Sequence, residues 1–504
     1  MATTCPTSFC LVYHIAESAS WSDGTPVTAD DFAYTARVNM DLADEARPPG
    51  YDLISGIDVI DEKTLRLSFT GRLGSWQSLF ARVLPASYGS LDVVTMPKTG
   101  PFDLAAWVEG DQMVLARNNA WWAGDDPISG TPVGTVDELT VRFLDDVTDS
   151  VAALADGEID VVSARPDAEL VSDLRELEDV VTRVTPGPFW EHIDFHLDDP
   201  LLGMDWVRRA VALAIDRGKI LEATVRLVDP SAPGLGNTVW MASSAPYEDH
   251  MAWLGHDPAE SERILVDNGC SRGDDGVQVC AGRRLSFIWT STNDDPARLA
   301  TYESVRADLE VVGIELVADL RSPSQFVTRE HLFGGADVWQ MANFSWKDLL
   351  DPQATDQRYS CAESDLNVTG YCSEATDAAL EIARSETATD LRATAYNEVD
   401  RLYLEDLAVI PLYQKPTMMA WRSELSGLTP NFTRSTDLWN VAAWTGKSSI
   451  VIALPGEPAT LDPRSTVDEP ANAVLSTLMY GAFSMAPDQT QVPLLISSAE
   501  IIEG

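Results

Sequence analysis

The sequence predicts an α/β fold with mixed sheets. Strand and helix patterns alternate along the whole chain, and no segment repeats at a fixed period. The composition, 45% hydrophobic and 23% charged, is typical of a globular chain that buries a large core. A length of 504 residues suggests about three domains or lobes. Because no long Pro- or Gly-rich linker is present, we expect lobes built from interleaved segments.

The first elements are predicted from turn and capping residues. A turn at residues 22–26 leads into a helix with Thr28 as its N-cap and with Asp30 and Asp31 in its first turn. Alternating apolar and polar residues at 57–69 predict a hairpin. Further strands are predicted at 104–116, 136–143, 157–162, 190–195, 313–320 and 408–413, and further helices at 149–156, 205–216, 297–312, 373–385 and 390–407.

The charge balance is strongly acidic. Asp and Glu number 79 against 35 Lys and Arg, which gives a formal net charge of -44 and a pI near 4.2. Such a surface repels phosphate backbones and anionic lipid, so we expect no nucleic-acid partner and no docking on acidic membranes. The acids are scattered along the chain, which indicates a solvated surface suited to salty or extracellular conditions.

The six cysteines form three close pairs: Cys5 with Cys10, Cys270 with Cys280, and Cys361 with Cys372. A zinc site prefers CxxC spacing together with His, which these pairs lack, so three local disulfides are predicted. Disulfides indicate an oxidising compartment outside the cytosol. The N-terminal residues nevertheless lack the basic and apolar regions of a signal peptide, and no apolar run reaches the length of a membrane span.

Several blocks of sequence carry a family resemblance. They are WSDGTPVTADDFAYT (21–35), GPFDLAAWVEGDQMVLARNNAWW (100–122), LADGEIDVV (154–162), WVRRAVALAIDRGKI (206–220) and DLEVVGIELV (308–317). In this order and at this spacing they resemble the extracytoplasmic solute-binding proteins of peptide-type ABC importers, family 5. The resemblance covers nearly the whole chain, and several independent blocks in register are more specific than one short motif.

The order of two blocks differs from that of the family. IVIALPGEPATLDP (450–463) resembles the first strand and loop, and LSTLMYGAF (475–483) resembles the helix after it. Both normally precede the WSDG block, whereas here they follow all the others. The chain therefore resembles a circular permutant whose natural ends are joined at 444–449, and the alternative is a fragment of a tandem array. Either origin accounts for the missing signal peptide.

The resemblance implies a periplasmic-binding-protein-like fold with two main lobes, a hinge and a smaller extra lobe. The implied lobes are lobe I (448–484, 100–200 and 418–447), lobe II (485–504 and 1–99) and lobe III (201–417). Ligand is expected between lobes I and III, which close over it. The implied protein is a monomeric, non-catalytic, extracytoplasmic receptor, exported or lipid-anchored in its parent form, that delivers a peptide to an ABC importer permease. It needs no cofactor.

Two alternatives to peptide binding stay open. One is a non-peptide solute, an oligosaccharide or a metal chelate, bound on the same scaffold. The other is a hydrolase, although the sequence contains neither a GxSxG elbow, nor HExxH, nor a phosphate-binding loop.

Residues 337–352 (DVWQMANFSWKDLLDP) are the best candidate for a ligand site. The resemblance places Asp348 at the first acid of an acid-x-x-acid-Pro pattern, which in peptide binders grips the ligand's α-ammonium group. Trp346, Asn343 and Trp339 add flat apolar faces and hydrogen-bonding groups. Lys347 next to Asp348 is capable of neutralising it. The competing interpretation is that Asp348 is one surface acid among many.

Other aromatic residues are candidates for the walls of the site. Phe189 and Trp190 follow Pro188 at an expected crossing between lobes, and Tyr480 follows the family's first helix. Core packing is the competing interpretation for each of them. His192 and His196 invite a metal hypothesis, but the local pattern is that of an interdomain strand, so no metal site is predicted.

Overall fold

A computed structural model describes residues 5–43, 47–88, 91–347, 351–362, 364–431, 437–464, 468–488 and 490–503. The chain forms two compact units: unit 1 consists of Met1–Gly187 and Thr417–Gly504, and unit 2 of Pro188–Pro416. Among the described residues, none of the helices has both the length and the apolar content that a bilayer span requires.

The structure confirms the α/β class, with helices and strands along both units. The helices are α1 (Ala29–Met40), α2 (Val147–Asp156), α3 (Ala168–Glu176), α4 (Asp205–Ala214), α5 (Arg217–Ala223), α6 (Pro258–Asp267), α7 (Pro296–Val311), α8 (Pro323–Phe326), α9 (Glu374–Ser385), α10 (Thr389–Glu405) and α11 (Glu469–Leu478). The strands of the first half are β1 (Phe9–Ile15), β2 (Ile54–Asp61), β3 (Thr64–Phe69), β4 (Phe102–Val108), β5 (Gln112–Arg117), β6 (Glu138–Phe143), β7 (Val161–Ala164) and β8 (Val180–Phe195). Those of the second half are β9 (Ser271–Arg272), β10 (Gln278–Cys280), β11 (Arg283–Arg284), β12 (Ser286–Thr292), β13 (Glu315–Arg321), β14 (Met341–Lys347), β15 (Val409–Arg422), β16 (Ser449–Leu454), β17 (Phe483–Met485), β18 (Gln491–Pro493) and β19 (Ile496–Glu503).

Unit 1 contains an antiparallel sheet in the order β19-β1-β3-β2. The predicted hairpin is confirmed as β2 and β3, and the predicted helix is α1, which begins after Thr28. The Thr28 side chain and that of Asp31 form a capping box, so both ends of this short motif satisfy free backbone N–H groups. The buried aromatic residues of this sheet and of α1 share one core.

Unit 1 also contains a mixed sheet in the order β15-β7-β16-β6-β5-β4. β6 and β7 flank β16 in parallel and are connected through α2, a βαβ arrangement. Asp146 caps the start of α2, and Gly157 ends it in the left-handed conformation (φ 75°) that glycine adopts without strain. The strand predicted at 104–116 is wrong as a single element: Gly110 (φ 73°) turns the chain, so β4 and β5 form a hairpin.

Unit 2 is built on strands in the order β13-β12-β14-β8-β15. β12 pairs in parallel with β13 and with β14, whereas β14 pairs antiparallel with β8. Helix α7 connects β12 to β13, as the predicted helix-then-strand pattern requires. A large apolar core in this unit is formed by residues of α4, α7, α9, α10 and β12.

Strands β8 and β15 are longer than the predicted 190–195 and 408–413. Each continues through the residues at which the chain passes between the units, 187–188 and 416–417. The prolines at 186 and 188 obscure this continuation in the sequence, because proline is normally read as a strand breaker.

The three predicted disulfides are confirmed. Cys5 is bonded to Cys10 at 2.04 Å. The bond from Cys270 to Cys280 measures 1.97 Å and closes the turn between α6 and β10. The bond from Cys361 to Cys372 measures 2.15 Å and precedes α9.

Candidate functional site

The predicted ligand segment, residues 337–352, contains β14, which lies between β12 and β8. Trp346 stands directly opposite Trp190, and Lys347 opposite Phe189. Four of the residues singled out in the sequence, those two tryptophans with Asn343 and Phe189, therefore lie on one antiparallel strand pair. Cross-strand partners project to the same side of a sheet, so this register divides the pair into two chemically distinct faces.

The first face, which we call the aromatic face, consists of Trp190, His192, Phe344 and Trp346. The rings of Trp190 and His192 lie 4.7 Å apart, and those of Phe344 and Trp346 lie 5.1 Å apart. Trp190 is 2% exposed, whereas Trp346 is partly exposed. Trp346 also packs against both neighbouring apolar clusters of unit 2. It is thus the ring of this face with access to solvent.

Arg358 covers the aromatic face with its guanidinium group. Its Cζ lies 5.6 Å from the ring centre of Trp190, 5.3 Å from that of Trp346 and 5.4 Å from that of Tyr359. A cation over an aromatic ring is attracted by the negative face of the ring. Burial raises the pKa of Tyr359 to about 12, although the Arg358 charge acts in the opposite direction. At neutral pH this phenol stays neutral beside the cation.

The second face, which we call the charged face, is organised around Glu191. This carboxylate is 1% exposed and accepts hydrogen bonds from Lys415 Nζ (2.8 Å), Arg298 Nη2 (3.1 Å) and Asn343 Nδ2 (3.2 Å). Lys415 Nζ also lies 3.0 Å from Asp295 Oδ2. Two cations thus face two carboxylates, which is the compensation that buried charges need.

These contacts decide the ionisation of Glu191. Burial by itself raises the pKa of a carboxyl group, but the charges and hydrogen bonds of Lys415 and Arg298 outweigh it and lower the pKa of Glu191 to about 2. The same two effects oppose each other at Arg298. Burial lowers the pKa of Arg298, but the neighbouring Glu191 carboxylate outweighs burial, so the pKa of Arg298 is raised. Glu191 and Arg298 therefore both stay ionised at neutral pH.

Asp348 lies outside the described residues, so its assigned role stays a prediction. The second acid of the pattern, Asp351, is described. Its carboxylate is paired with Arg392 through bonds of 2.6 and 2.9 Å, and it accepts a hydrogen bond from Gln353 N. Asp351 therefore has a structural task, because it caps the turn at Pro352–Ala354 and connects that turn to α10.

The structure places the remaining predicted residues as follows. Asn343 is fully buried and donates to Glu191 and to the carbonyl of His192, so it belongs to the charged face. Trp339 is fully buried, and its N–H donates to the carbonyl of Leu332. Tyr480 lies in unit 1, is 4% exposed, and contacts the ring of Trp121 at 6.2 Å. Ligand contact by these side chains stays a prediction.

The two histidines considered for metal binding, His192 in β8 and His196 just after it, each have a polar partner at Nε2. His192 Nε2 lies 3.3 Å from Asp194 Oδ2, and His196 Nε2 lies 3.2 Å from the carbonyl oxygen of Gly334. Within the part of the chain that the structure describes, no group of three or more His, Cys, Asp or Glu side chains is arranged to hold a metal ion.

Sequence reasoning missed Glu191, Arg298, Lys415 and Arg358. Glu191 lies within the GPFWEH segment that was singled out for its aromatic residues, and strand alternation would have placed it on the face opposite Trp190. No local sequence pattern distinguishes Lys415 or Arg358 from the Lys and Arg residues that lie on the surface. Lys415 bonds to Glu191 and Asp295, which lie 224 and 120 residues away in the chain, and Arg358 lies over the ring of Trp190 in β8.

Comparison with known proteins identifies relatives for most of the chain. The profile of the bacterial extracellular solute-binding proteins, family 5 (Middle), matches residues 10–364. The oligopeptide-binding protein OppA of Mycobacterium tuberculosis is 27% identical over 439 residues, which cover 82% of this chain and 71% of that protein.

Two solved structures share the fold. A periplasmic EDTA-binding protein, EppA, has a TM-score of 0.74 at 22% identity and covers 86% of this chain and 84% of its own. The oligopeptide-binding protein AppA from Bacillus subtilis, in complex with a nonapeptide, has a TM-score of 0.63 at 18% identity, with coverages of 87% and 88%. The predicted periplasmic-binding-protein-like fold is thereby confirmed.

Proposed function

We propose, for a chain that belongs to the bacterial extracellular solute-binding proteins of family 5, that the bound solute is a short peptide. As a member of this family the protein is a receptor and not an enzyme, and its partners are a small solute and the permease of an ABC importer. The similarity to an oligopeptide-binding protein along most of the chain carries the peptide assignment.

The segment after β14 supports Asp348 as the group that holds the peptide's α-ammonium. Because Asp351 is committed to Arg392 and to its own turn, the first acid of the pattern is left for the ligand. Trp346, two residues earlier in the chain, has a partly exposed ring. A carboxylate that accepts from an ammonium group forms a charge-assisted bond, which fixes the register of a peptide without reading its side chains.

The decisive experiment is native mass spectrometry of the purified protein, followed by release and identification of bound molecules. A ladder of short peptides is the expected result. The Asp348→Ala variant should then lose about 2–5 kcal/mol of peptide binding free energy, since one partner of a shielded charge pair is removed. Asp365→Ala, which removes an exposed acid of the same unit, is the matched control. A single sugar or a metal complex in the native protein would overturn the peptide assignment.

A non-peptide solute is the second candidate. Lys347 follows Trp346 and lies with its Nζ 5.7 Å from the ring centre of Phe189, so a cation stands next to the residue assigned to the peptide ammonium. This neighbour favours an anionic solute such as a metal chelate. The released molecule distinguishes the two candidates directly.

Chain order, lobe boundaries and anchoring are parts of the same proposal. The antiparallel pairing of β19 with β1, in which Phe9 lies opposite Glu503, supports the proposed permuted order. A chain reordered to begin at Ser448, with Gly504 joined to Met1, is expected to bind the same solutes.

The three disulfides support export of the parent protein, with or without a lipid anchor. Hinge closure on the ligand is expected to reduce the radius of gyration in small-angle X-ray scattering.

A further inference from the structure

Arg358 is a buried cation without a charge partner. Its side chain is 6% exposed, and within the described residues no ion pair joins it to a carboxylate. Nε donates to the carbonyl of Thr355 at 3.2 Å, and Nη2 donates to Thr355 Oγ1 at 3.1 Å. Nη1 is shielded from solvent and has no hydrogen-bond partner. A buried donor without an acceptor costs free energy, so its retention needs a reason.

Arg208 shows what a structural arginine in this unit looks like. It is also 6% exposed, but all three of its guanidinium nitrogens are bonded: Nε and Nη2 to the carbonyl of Asp406, and Nη1 to the carbonyl of Leu202. Arg208 thus connects chain segments. Among the described residues, Arg358 makes hydrogen bonds only to Thr355, three residues before it, and otherwise contacts ring faces.

A second unsatisfied donor lies in the same cluster. Trp190 Nε1 is buried and has no hydrogen-bond partner, and the guanidinium of Arg358 lies over the same indole. Arginine and the indole N–H donate and never accept. The complementary group is therefore an acceptor, and beside a cation it is a negatively charged one.

We infer that Arg358, Trp190 and Trp346 form a subsite that receives a carboxylate of the bound solute. The planar guanidinium matches the geometry of a carboxylate, and the two indole rings flank it with flat apolar faces. Of these three side chains Trp346 is the one that is partly exposed, so it marks the side from which a solute reaches the shielded Nη1. This inference rests on the proposed solute-binding function and specifies the chemistry of the solute.

The carboxylate has two sources, the C-terminus of a peptide or a polycarboxylate such as a chelator. Three probes distinguish them: a library of tri- to pentapeptides with free C-termini, the same library amidated, and metal-free EDTA. Dissociation constants are measured by isothermal titration calorimetry, with bound masses from native mass spectrometry. The variants are Arg358→Met, which keeps the packing, and Arg358→Lys, which keeps the charge but loses the planar donor pair.

Two controls separate this inference from the proposed function. Arg209→Met removes another arginine that lies over a tryptophan, Trp253, on an exposed surface of the same unit. It should bind as the native protein does. Asp348→Ala should weaken free and amidated peptides by the same factor, because it acts at the ammonium end.

We expect the native protein to bind free-carboxylate peptides about 10- to 100-fold more tightly than amidated ones, the range for a hydrogen bond to a charged group. Arg358→Met should abolish that ratio, and Arg358→Lys should restore it in part. If the native protein binds both libraries equally and Arg358→Met changes nothing, the inference is wrong while the peptide assignment stands. If only EDTA binds, and Arg358→Met prevents it, the inference stands and the peptide assignment fails. Failure of all three probes to bind overturns both.

Discussion

The two faces of the β8–β14 strand pair differ in how their polar groups are satisfied. On the charged face, Glu191 is surrounded by Arg298, Lys415 and Asn343, each within hydrogen-bond distance. On the aromatic face, Arg358 has ring faces around it and no carboxylate partner among the described residues. Both faces are largely buried and are built from the same two strands.

The difference teaches how to separate structural from functional charge. A paired buried charge stabilises the fold only in its own arrangement, so its removal is costly. An unpaired buried cation contributes little to the stability of the fold. Its removal should therefore change the unfolding free energy little, although a ligand that binds to the cation loses its partner. Proteins that bind ligands commonly tolerate such unfavourable groups at their sites. Four experiments test this distinction.

The largest effect is expected for Glu191→Gln. Lys415 and Arg298 would then face each other without the shared carboxylate, and about 3–5 kcal/mol of unfolding free energy should be lost. Urea unfolding followed by circular dichroism measures the loss. Glu303→Gln, which removes an exposed acid paired with Arg306, should cost less than about 1 kcal/mol. Equal losses in the two variants would show that the charged face is not a structural unit.

The pH dependence of the unfolding free energy should report the ionisation of Glu191. The pKa of Glu191 is lowered from 4.5 to about 2 in the folded protein, so its stabilising contribution is present above pH 4.5 and is lost as the pH falls through 2. That difference corresponds to roughly 3 kcal/mol. The stability gap between the native protein and Glu191→Gln should therefore narrow across this window. A gap that stays constant from pH 5 to pH 2 would contradict the assigned shift.

A smaller effect is expected for Asp295→Asn. Asp295 is 26% exposed, pairs with Lys415 at 3.0 Å, and caps α7 by accepting from Ala297 N. Asparagine keeps the cap and removes the charge, so the loss should be about 1 kcal/mol or less. Thermal unfolding of this variant and of Glu191→Gln, compared directly, measures how much of the stability of the charged face comes from the Asp295 carboxylate. If Asp295→Asn lost as much unfolding free energy as Glu191→Gln, the charged face would depend on the pairing of Lys415 with both carboxylates and not mainly on Glu191.

The smallest effect is expected for Arg358→Met without ligand. Removal of an unsatisfied buried donor offsets the loss of the cation–ring contacts, so the unfolding free energy should change by less than about 1 kcal/mol. Differential scanning calorimetry of the ligand-free protein measures it. A loss of the size expected for Glu191→Gln would make Arg358 a structural residue and would remove the contrast between the two faces.

Local elements were well predicted from the sequence because their signals are local. Thr28 is the N-cap of α1, as expected, and alternation across residues 57–69 gives the expected hairpin. The three disulfide pairs follow from short spacings between cysteines. The family follows from blocks in register. Longer strands were underestimated where prolines interrupt the pattern, as in β8.

The candidate site was predicted only in part. The sequence pointed to Trp190 and Trp346, and strand pairing brings them together, but Glu191 and Lys415 are 224 residues apart and meet only in the folded chain. Asp348, the residue on which the peptide assignment depends most, is outside the described residues and stays a prediction. The circular permutation and the three lobe boundaries also stay predictions.

The sequence by itself determined the α/β class, the disulfide pairs, the acidic surface and the family of this protein, because each of these is set by composition or by residues close together in the chain. The tertiary structure decided which charges are paired. Whether a buried cation stabilises the fold or is left for a ligand depends on the acceptors that distant segments bring within about 3 Å of it. No local pattern around Arg358 encodes that the described side chains over which its guanidinium lies are aromatic rings.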